Sequence, residues 1–596
     1  VLDQDQQKVV DAGKGIFAVY AGAGSGKTLS LVSRAARLSS LGRTLCLTFT
    51  SEAAKNMKSR CEKLFPDSTA EFRTVHSLAL QFANEHPDAF PFTLSENPLA
   101  GEGVSAKAIF QATKNKVNFK LFSSWISLQK RKRIDPVDAI RIAEKSGKDL
   151  NMALMYKDYQ RILKNLGVLD FDDLCTNFVD ILESRPDIRS KWQYEYILVD
   201  EVQDCCEIDW RLLQLLSQKH GNLLATGDSG QSVFGFRGGV SDHFLNMEEI
   251  FPGTQKMFLG KNYRSCRKIV EYIRKATPQK ELADRLEAMR KEEGVEPSVT
   301  GYSNDSREAE GVVDSISKLV PSECAILART NLSLRSCEET LIERNIPHYL
   351  LGGEGYWETE EIRNVLAWVR CVYNPSNNFL LAALQTPFNP TQYIKRKLVA
   401  QEIRDKSAKT GQTAWKLLDN YHSKDDHQNR AVAKFMSFLK GLYPYKALPA
   451  SEAVSRIIKE LGCVDHYKEE SSICPDKDPV ASLKELVRIS GKHDSLQDFL
   501  NYVRKVAGAS RNKKGVCLST IHSFKGREAP HVFLVSCNEG ILPHAKALAE
   551  GDLQGEINAF YVAVSRPELT LNISYWGNKS RFLVNLQNKP QDDILR

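Results

Sequence analysis

The sequence predicts an α/β protein, and three observations carry that reading. The first is Ala21-Gly22-Ala23-Gly24-Ser25-Gly26-Lys27-Thr28, set between a short apolar run, Gly15 to Tyr20, and a segment through Leu38 with apolar residues at helical spacing. The second is Tyr196-Ile197-Leu198-Val199, an apolar strand that runs into Asp200-Glu201-Val202-Gln203-Asp204. The third is a recurrence of the same grammar. Leu45 to Thr50 reads as a strand followed by a helix from Ser51 to about Arg60, and Leu223 to Thr226 reads as a strand feeding the polar loop Gly227 to Ser232.

Each element has a chemical reading. In a strand–loop–helix context the small residues of 21–26 let backbone N–H groups close around phosphates. Lys27 supplies a point charge toward the outer phosphates, and the Thr28 hydroxyl can ligand Mg²⁺. A helix N-terminus behind the loop favours an anion. A nucleoside triphosphate is therefore the first ligand to consider. Such a site needs an acid at a neighbouring strand end for the metal and a base for the attacking water, and Asp200 and Glu201 suit these roles. Gln231, in the loop after the Leu223 strand, is placed to touch a terminal phosphate. Phe234, Phe236 and Arg237 follow closely, and aromatics beside a cation suit either stacking on unpaired bases or packing at a loop corner.

Composition sets the outer bounds. A chain of 596 residues is long enough for several domains, and 42% hydrophobic with 26% charged residues is ordinary for globular protein. No apolar run approaches membrane-spanning length, and the first residues do not read as a signal peptide. The 13 cysteines are scattered without C-x-x-C spacing, which points to buried free thiols rather than a zinc or iron–sulfur site. A net charge of +7 permits a polyanionic partner.

The order and spelling of these segments resemble the UvrD/Rep/PcrA group of superfamily one DNA helicases. Leu2 with Gln6 is similar to the group's adenine-recognising segment. Thr48-Phe49-Thr50 with Ala53, Ala54 and Met57, then Thr74 to Ser77 and Asp170 to Leu174, resemble further group segments. Asp200 to Asp204 resembles the DExQD signature, Gly227 to Gly238 the glutamine-containing segment, and Asn262-Tyr263-Arg264-Ser265 the NYRS segment. In the second half Gly352-Gly353, Tyr356-Trp357 and Glu361-Ile362 resemble GG…FF/W…EI. Thr520 to Glu528 resembles TLHSAKGLE, and Tyr561 to Arg566 resembles YVGVTR.

The resemblance implies roles residue by residue. Gln6 would bind the adenine edge and Tyr263 its face, while Glu528 would meet the ribose. Lys27 and Thr28 would hold phosphate and Mg²⁺, with Asp200 as metal partner, Glu201 as base and Gln231 as γ-phosphate sensor. Arg264 and Arg566 would come from a second motor domain to neutralise transition-state charge. Phe49, His76, Phe234, Phe236, His522 and Phe582 would lie on the DNA path. Three departures stand out. Ser229-Gly230 precede Gln231 where the group has two aspartates, Leu29 follows Thr28 where relatives often place arginine, and Phe236 replaces a tryptophan.

The implied architecture is two RecA-like P-loop motor domains, each interrupted by a mostly helical insertion. The expected bounds are 1–87 with 190–263 for the first motor, 88–189 for its insertion, 264–386 with 511–596 for the second motor, and 387–510 for the second insertion. The basic run Lys130-Arg131-Lys132-Arg133, with Lys114, Lys116 and Lys120 nearby, reads equally as a DNA-phosphate contact or a solvated helical face. Arg511 to Gly515 reads as a basic turn. With the last landmark close to Arg596, no appended nuclease domain is expected.

The implied activity is ATP-dependent, Mg²⁺-requiring 3′→5′ translocation on single-stranded DNA with duplex unwinding, in repair, replication or recombination. The alternative is a translocase or motor subunit that displaces proteins from DNA or works with a separate nuclease. Expected partners are single-stranded DNA, single-strand/duplex junctions and replication, repair or nuclease proteins, in a cytoplasm of bacterial or phage type.

Overall fold

The computed structural model describes residues 2–114, 117, 119–233, 241–351, 356–391, 393–471, 478–509 and 514–583. Phe234, Phe236, Arg237, Lys116, Gly352, Gly353 and residues 511–513 of the expected basic turn lie outside these.

The first sheet contains β1 (Ile16–Ala21), β2 (Thr44–Thr48), β3 (Glu71–Thr74), β4 (Tyr196–Val199), β5 (Leu223–Gly227) and β6 (Gln255–Leu259) in the order β3-β2-β4-β5-β1-β6. The pairs are parallel, with Ala18 opposite Ala225 and Leu45 opposite Ile197. Both faces are covered, which explains why β1 reads as one continuous apolar run. Ala18 and Tyr20 enter one core with Leu47, Val199 and Phe178. Phe17, Val19 and Ala21 enter the other with Leu31, Val32 and Ala35. The helices α2 (Lys27–Ser39) and α3 (Ser51–Leu64) follow as the sequence predicts, and α1 (Gln4–Asp11) and α4 (Val75–Glu85) join them. A short parallel ladder joins β7 (Lys261–Asn262) to β8 (Glu287–Ala288).

The second sheet contains β9 (Ser298–Tyr302), β10 (Cys324–Ala328), β11 (His348–Leu351), β12 (Val516–Thr520), β13 (Ala529–Leu534) and β14 (Pro567–Trp576) in the order β11-β12-β10-β13-β14-β9. β10 pairs in parallel with β12 and β13. Its core combines Ile326, Leu518 and Phe533 with Val313 and Leu341.

Between β3 and β4 the regular structure is helical. Phe122, Ile126, Tyr156, Tyr159 and Leu163 form a separate core there. Between β11 and β12 a second helical region packs around Trp368 and Phe435. Two compact units emerge from the packing. One holds Val1–Ser298, Ala547–Leu571 and Arg581–Arg596; the other holds Val299–Lys546 and Asn572–Ser580. Residues 264–298 and 547–571 thus pack with the first unit, so packing divides the chain elsewhere than the 263/264 bound expected from motif order.

The basic run of the first helical region is mostly tied up in ion pairs, although only Lys130 is buried. Lys130 is 2% exposed and lies 2.5 Å from Asp170 and 2.7 Å from Asp173. Arg131 meets Asp172 at 3.0 Å, and Arg133 reaches Asp180 at 3.0 Å and Glu183 at 2.9 Å. Asp170 also caps the helix Phe171–Ser184. Three of the four cations are thereby engaged in fastening helices, and Lys132 is exposed.

Candidate active site

The phosphate loop forms the bend from β1 into α2. Gly24 and Gly26 sit at φ +70° and +73°, conformations that favour glycine. A Cβ at Gly26 would lie 2.5 Å from the Gln6 amide nitrogen, and one at Gly24 would lie 2.7 Å from Arg264 Cβ. These glycines therefore serve both the turn and the close approach of two flanking segments. α2 starts without an acidic residue in its first turn, which leaves its positive end open to an anion.

On one side stands α1. Asp3 and Gln6 form its capping box, and Gln6 Nε2 donates to the Ser25 carbonyl at 2.9 Å. On the other side, Asn262 Nδ2 donates to the Ala23 carbonyl at 2.8 Å, while Asn262 Oδ1 accepts the Arg264 and Ser265 N–H groups at 2.9 and 2.8 Å. Tyr263 N–H donates to the Gly24 carbonyl at 2.9 Å. Its ring is 42% exposed, and its hydroxyl donates to Asp3 Oδ2 at 2.5 Å. Gln6 and Tyr263 thus both hold the loop, at the Ser25 and Gly24 carbonyls, and Asp3 links the two segments. Asn262, to which the sequence reading gave no separate role, holds the second segment in place.

The acid pair lies at the end of β4. Lys27 Nζ is 2.5 Å from Glu201 Oε1 and 3.9 Å from Asp200 Oδ1. Burial pulls the Lys27 ammonium down, but the Glu201 and Asp200 charges outweigh it and hold Lys27 above its ordinary range. Glu201 has φ +54°, a left-handed backbone that is uncommon outside glycine and concentrates at functional positions. Thr28 is half-buried at the start of α2, and Asp200 is 6% exposed. The buried Ser25 hydroxyl has no hydrogen-bond partner among the described residues. An orphaned hydroxyl and a lysine on the phosphate loop, with a buried aspartate 3.9 Å from that lysine at the neighbouring strand end, fit a phosphate-bound Mg²⁺.

From Glu201 a chain of hydrogen bonds runs across the strand ends. Gln203 Nε2 donates to Glu201 Oε2 at 2.6 Å, and Gln203 Oε1 accepts the Asp228 N–H at 3.1 Å. Asp228 Oδ2 accepts Gln231 Nε2 at 2.7 Å and the Tyr561 hydroxyl at 2.9 Å. Gln231 Oε1 accepts Arg566 Nη2 at 2.9 Å. Burial pushes the Asp228 carboxyl up, against the downward pull of Gln231 and Lys27. Arg566 is 2% exposed; burial and the adjoining Arg264 charge push it down to about 9. Arg264 Nη1 donates to the Ser565 carbonyl at 3.1 Å. Both arginines belong by packing to the same compact unit as the phosphate loop.

The expected DNA-side residues are more dispersed. Phe49 and His76 are half-buried at the ends of β2 and β3, and the His76 ring stands edge-on to Phe171 at 5.8 Å. His522 is half-buried and Glu528 exposed in the second unit, in the turn between β12 and β13. Phe582 is a correction. It is 2% exposed with its ring 5.4 Å from Phe560, so it fills a core rather than facing a strand of DNA. An apolar residue near the chain end gave no sign of this, because core and stacking aromatics look alike in sequence. Gln203, Asp228 and Tyr561 had no assigned role in the sequence reading. Their signal was position alone, at strand ends and on the helix before Arg566.

Comparison with known proteins agrees with this geometry. Residues 2–252 match the UvrD/REP helicase N-terminal domain, and residues 257–578 match the UvrD-like helicase C-terminal domain. The ATP-dependent DNA helicase PcrA of Staphylococcus epidermidis is 28% identical over 99% of this chain and 85% of that relative. The PcrA helicase of Leuconostoc citreum is 26% identical over 95% of this chain and 80% of the relative, and that of Staphylococcus aureus 26% identical over 100% and 85%. With a phosphate loop, an acid pair and two arginines on one set of strand ends, and with these matches along nearly its whole length, the chain belongs to the UvrD-like helicase family.

Proposed function

We infer that this chain is an ATP-dependent DNA helicase that moves 3′→5′ on single-stranded DNA. The observation that carries the reading is the unbroken chain of contacts from Lys27 through Glu201, Gln203, Asp228 and Gln231 to Arg566. Lys27, now held by carboxylates, is the cation that a triphosphate would draw onto its outer phosphates. Thr28 and Asp200 would hold Mg²⁺, which neutralises phosphate charge when bound. Glu201 aligns the attacking water, Gln231 reads the terminal phosphate, and Arg264 with Arg566 stabilises charge in the transition state. Gln6 and Tyr263 receive the base, and Glu528 is assigned to the ribose. Ala21 to Ser25 and Gly26 line the phosphates.

Phe49, His76, Phe234, Phe236 and His522 form the single-strand path. Stacking on such residues is sequence-tolerant, and backbone contacts make binding salt-dependent. The two motor domains are assigned to 1–87 with 190–263 and 264–386 with 511–596, with insertions at 88–189 and 387–510. One six-stranded sheet on each side of residue 263, and the helical stretches that interrupt them, support these bounds. Among the described residues no helix is long and apolar enough to cross a membrane, and the relatives are bacterial, which favours a bacterial cytoplasm. Replication or repair proteins are the partners expected at single-strand/duplex junctions.

The test is unwinding of duplexes carrying a 3′ or a 5′ single-stranded tail. ATP-dependent opening of the 3′-tailed substrate supports the proposal. Opening of only the 5′-tailed one contradicts the polarity, and displacement of bound protein without unwinding of either favours a translocase.

A further inference from the structure

Two parts of the site must act together: the carboxylate that handles water and the loop that touches the terminal phosphate. One buried side chain joins them. Gln203 is 0% exposed, and both ends of its amide are used. Nε2 donates to Glu201 Oε2 at 2.6 Å, and Oε1 accepts the Asp228 N–H at 3.1 Å. Its main-chain carbonyl also accepts the Ser232 hydroxyl at 3.2 Å. The fit is close: a Cβ at Gly227 would lie 2.3 Å from Gln203 Oε1, so a side chain there would have to displace the amide from its two hydrogen bonds.

We propose that Gln203 is a positioning residue for ATP hydrolysis, which fixes the Glu201 carboxylate and the Asp228–Ser232 loop as one unit. The proposal rests on the reading of Glu201 as the base. Glu201 points its carboxylate from a left-handed backbone, so local geometry alone does not orient it. Its Oε1 is held by Lys27, a contact that a triphosphate competes for, whereas the Gln203 bond to Oε2 is independent of Lys27. The same amide fixes the backbone of Asp228, whose carboxylate orients Gln231. The position needs a donor at one end and an acceptor at the other. An amide supplies both, and neither a carboxylate nor a thioether does.

The experiment measures steady-state ATPase with single-stranded DNA for Gln203→Met, which keeps the volume and removes both polar ends. Gln203→Asn, which keeps the amide but shortens its reach, and Glu201→Gln run in parallel. The expected result is a kcat lower by about tenfold or more in Gln203→Met and a smaller loss in Gln203→Asn. Affinities for adenosine imidotriphosphate and for single-stranded DNA stay within about twofold of wild type. If Gln203→Met does not fold, Gln203→Asn decides by the same split between kcat and affinity. An unchanged kcat in the folded variants overturns the proposal. So does a parallel fall of kcat, analogue affinity and melting temperature, which marks a merely structural role. Full activity in Glu201→Gln overturns the underlying reading instead, since the base would then lie elsewhere.

Discussion

Arg335 and Arg566 are both almost fully buried, and they are buried differently. Arg335, 1% exposed in the second unit, is met by two carboxylates and two aromatic rings. Glu338 and Glu339 accept from it at 2.8 and 3.2 Å, and its guanidinium lies 4.6 and 4.4 Å from the ring centroids of Tyr356 and Trp357. Burial lowers Arg335 but the two carboxylates more than reverse it, so its charge is held firmly. Arg566, in the first unit, adjoins another arginine and donates to the neutral amide of Gln231. Its pKa is pushed down to about 9. Burial and the neighbouring arginine outweigh the nearby Glu201 and Asp228 carboxylates, so this charge is costly in a resting protein and is relieved when an anion completes it. The difference separates a cation that holds a fold together from one kept in readiness for a ligand.

The largest effect should come from breaking the readiness. Arg566→Ala is expected to lower DNA-stimulated ATP turnover by about a thousandfold, as loss of a transition-state arginine does in related phosphoryl transfer. Its melting temperature should hold, since a cation that burial disfavours is removed together with its hydrogen bonds to Val562, Ser565 and Gln231. Steady-state turnover and thermal melting check both halves. Arg335→Met should do the opposite. It leaves Glu338 and Glu339 buried without their arginine and should destabilise the second unit by about 3–5 kcal/mol, read by denaturant unfolding.

Lys130 sharpens the comparison with a lysine. Lys130→Met strands Asp170 and Asp173 and should cost a similar amount, about 3–5 kcal/mol. Lys132→Ala, on the same run but exposed, should change neither stability nor DNA affinity by more than about twofold in binding titrations at low salt.

A smaller effect concerns pH. Arg566 holds its proton below about 9 in the nucleotide-free protein, so affinity for a triphosphate should fall as pH rises through that value. Folding stability from this group runs the other way. The unfolded chain keeps the proton to a higher pH than the folded one, so the penalty of burying the charge is relieved above about 9. Binding titrations of adenosine imidotriphosphate across that range, with Arg566→Ala as the flat control, resolve the sign.

Four strands of the first sheet, β1, β2, β4 and β5, were legible in sequence because they are covered on both faces, whereas β3 and β6 are partly exposed and were not read. Runs such as Phe17 to Ala21 and Tyr196 to Val199 stay apolar throughout and end on polar loops. The phosphate loop and acid pair were legible for the same reason, since chemistry sits at strand ends. The basic run at Lys130 was not. Its acidic partners lie about 40 residues along the chain, at Asp170 to Asp173, and only tertiary packing brings them together. Phe582 misled because a short aromatic motif carries no sign of its own burial. Gln203 was visible as a letter in a signature, but its two-ended role depends on Gly227 and Asp228 arriving beside it from another strand.

The central claim is that ATP chemistry at Lys27, Glu201 and Arg566 is driven by a DNA strand. It is tested most directly by measuring ATP hydrolysis of the wild-type protein and of Arg566→Ala with and without single-stranded DNA at low salt. The account predicts strong stimulation of the wild type and near-complete loss in the variant, with nucleotide still bound. Absence of stimulation in the wild type, or stimulated turnover surviving in Arg566→Ala, would contradict it.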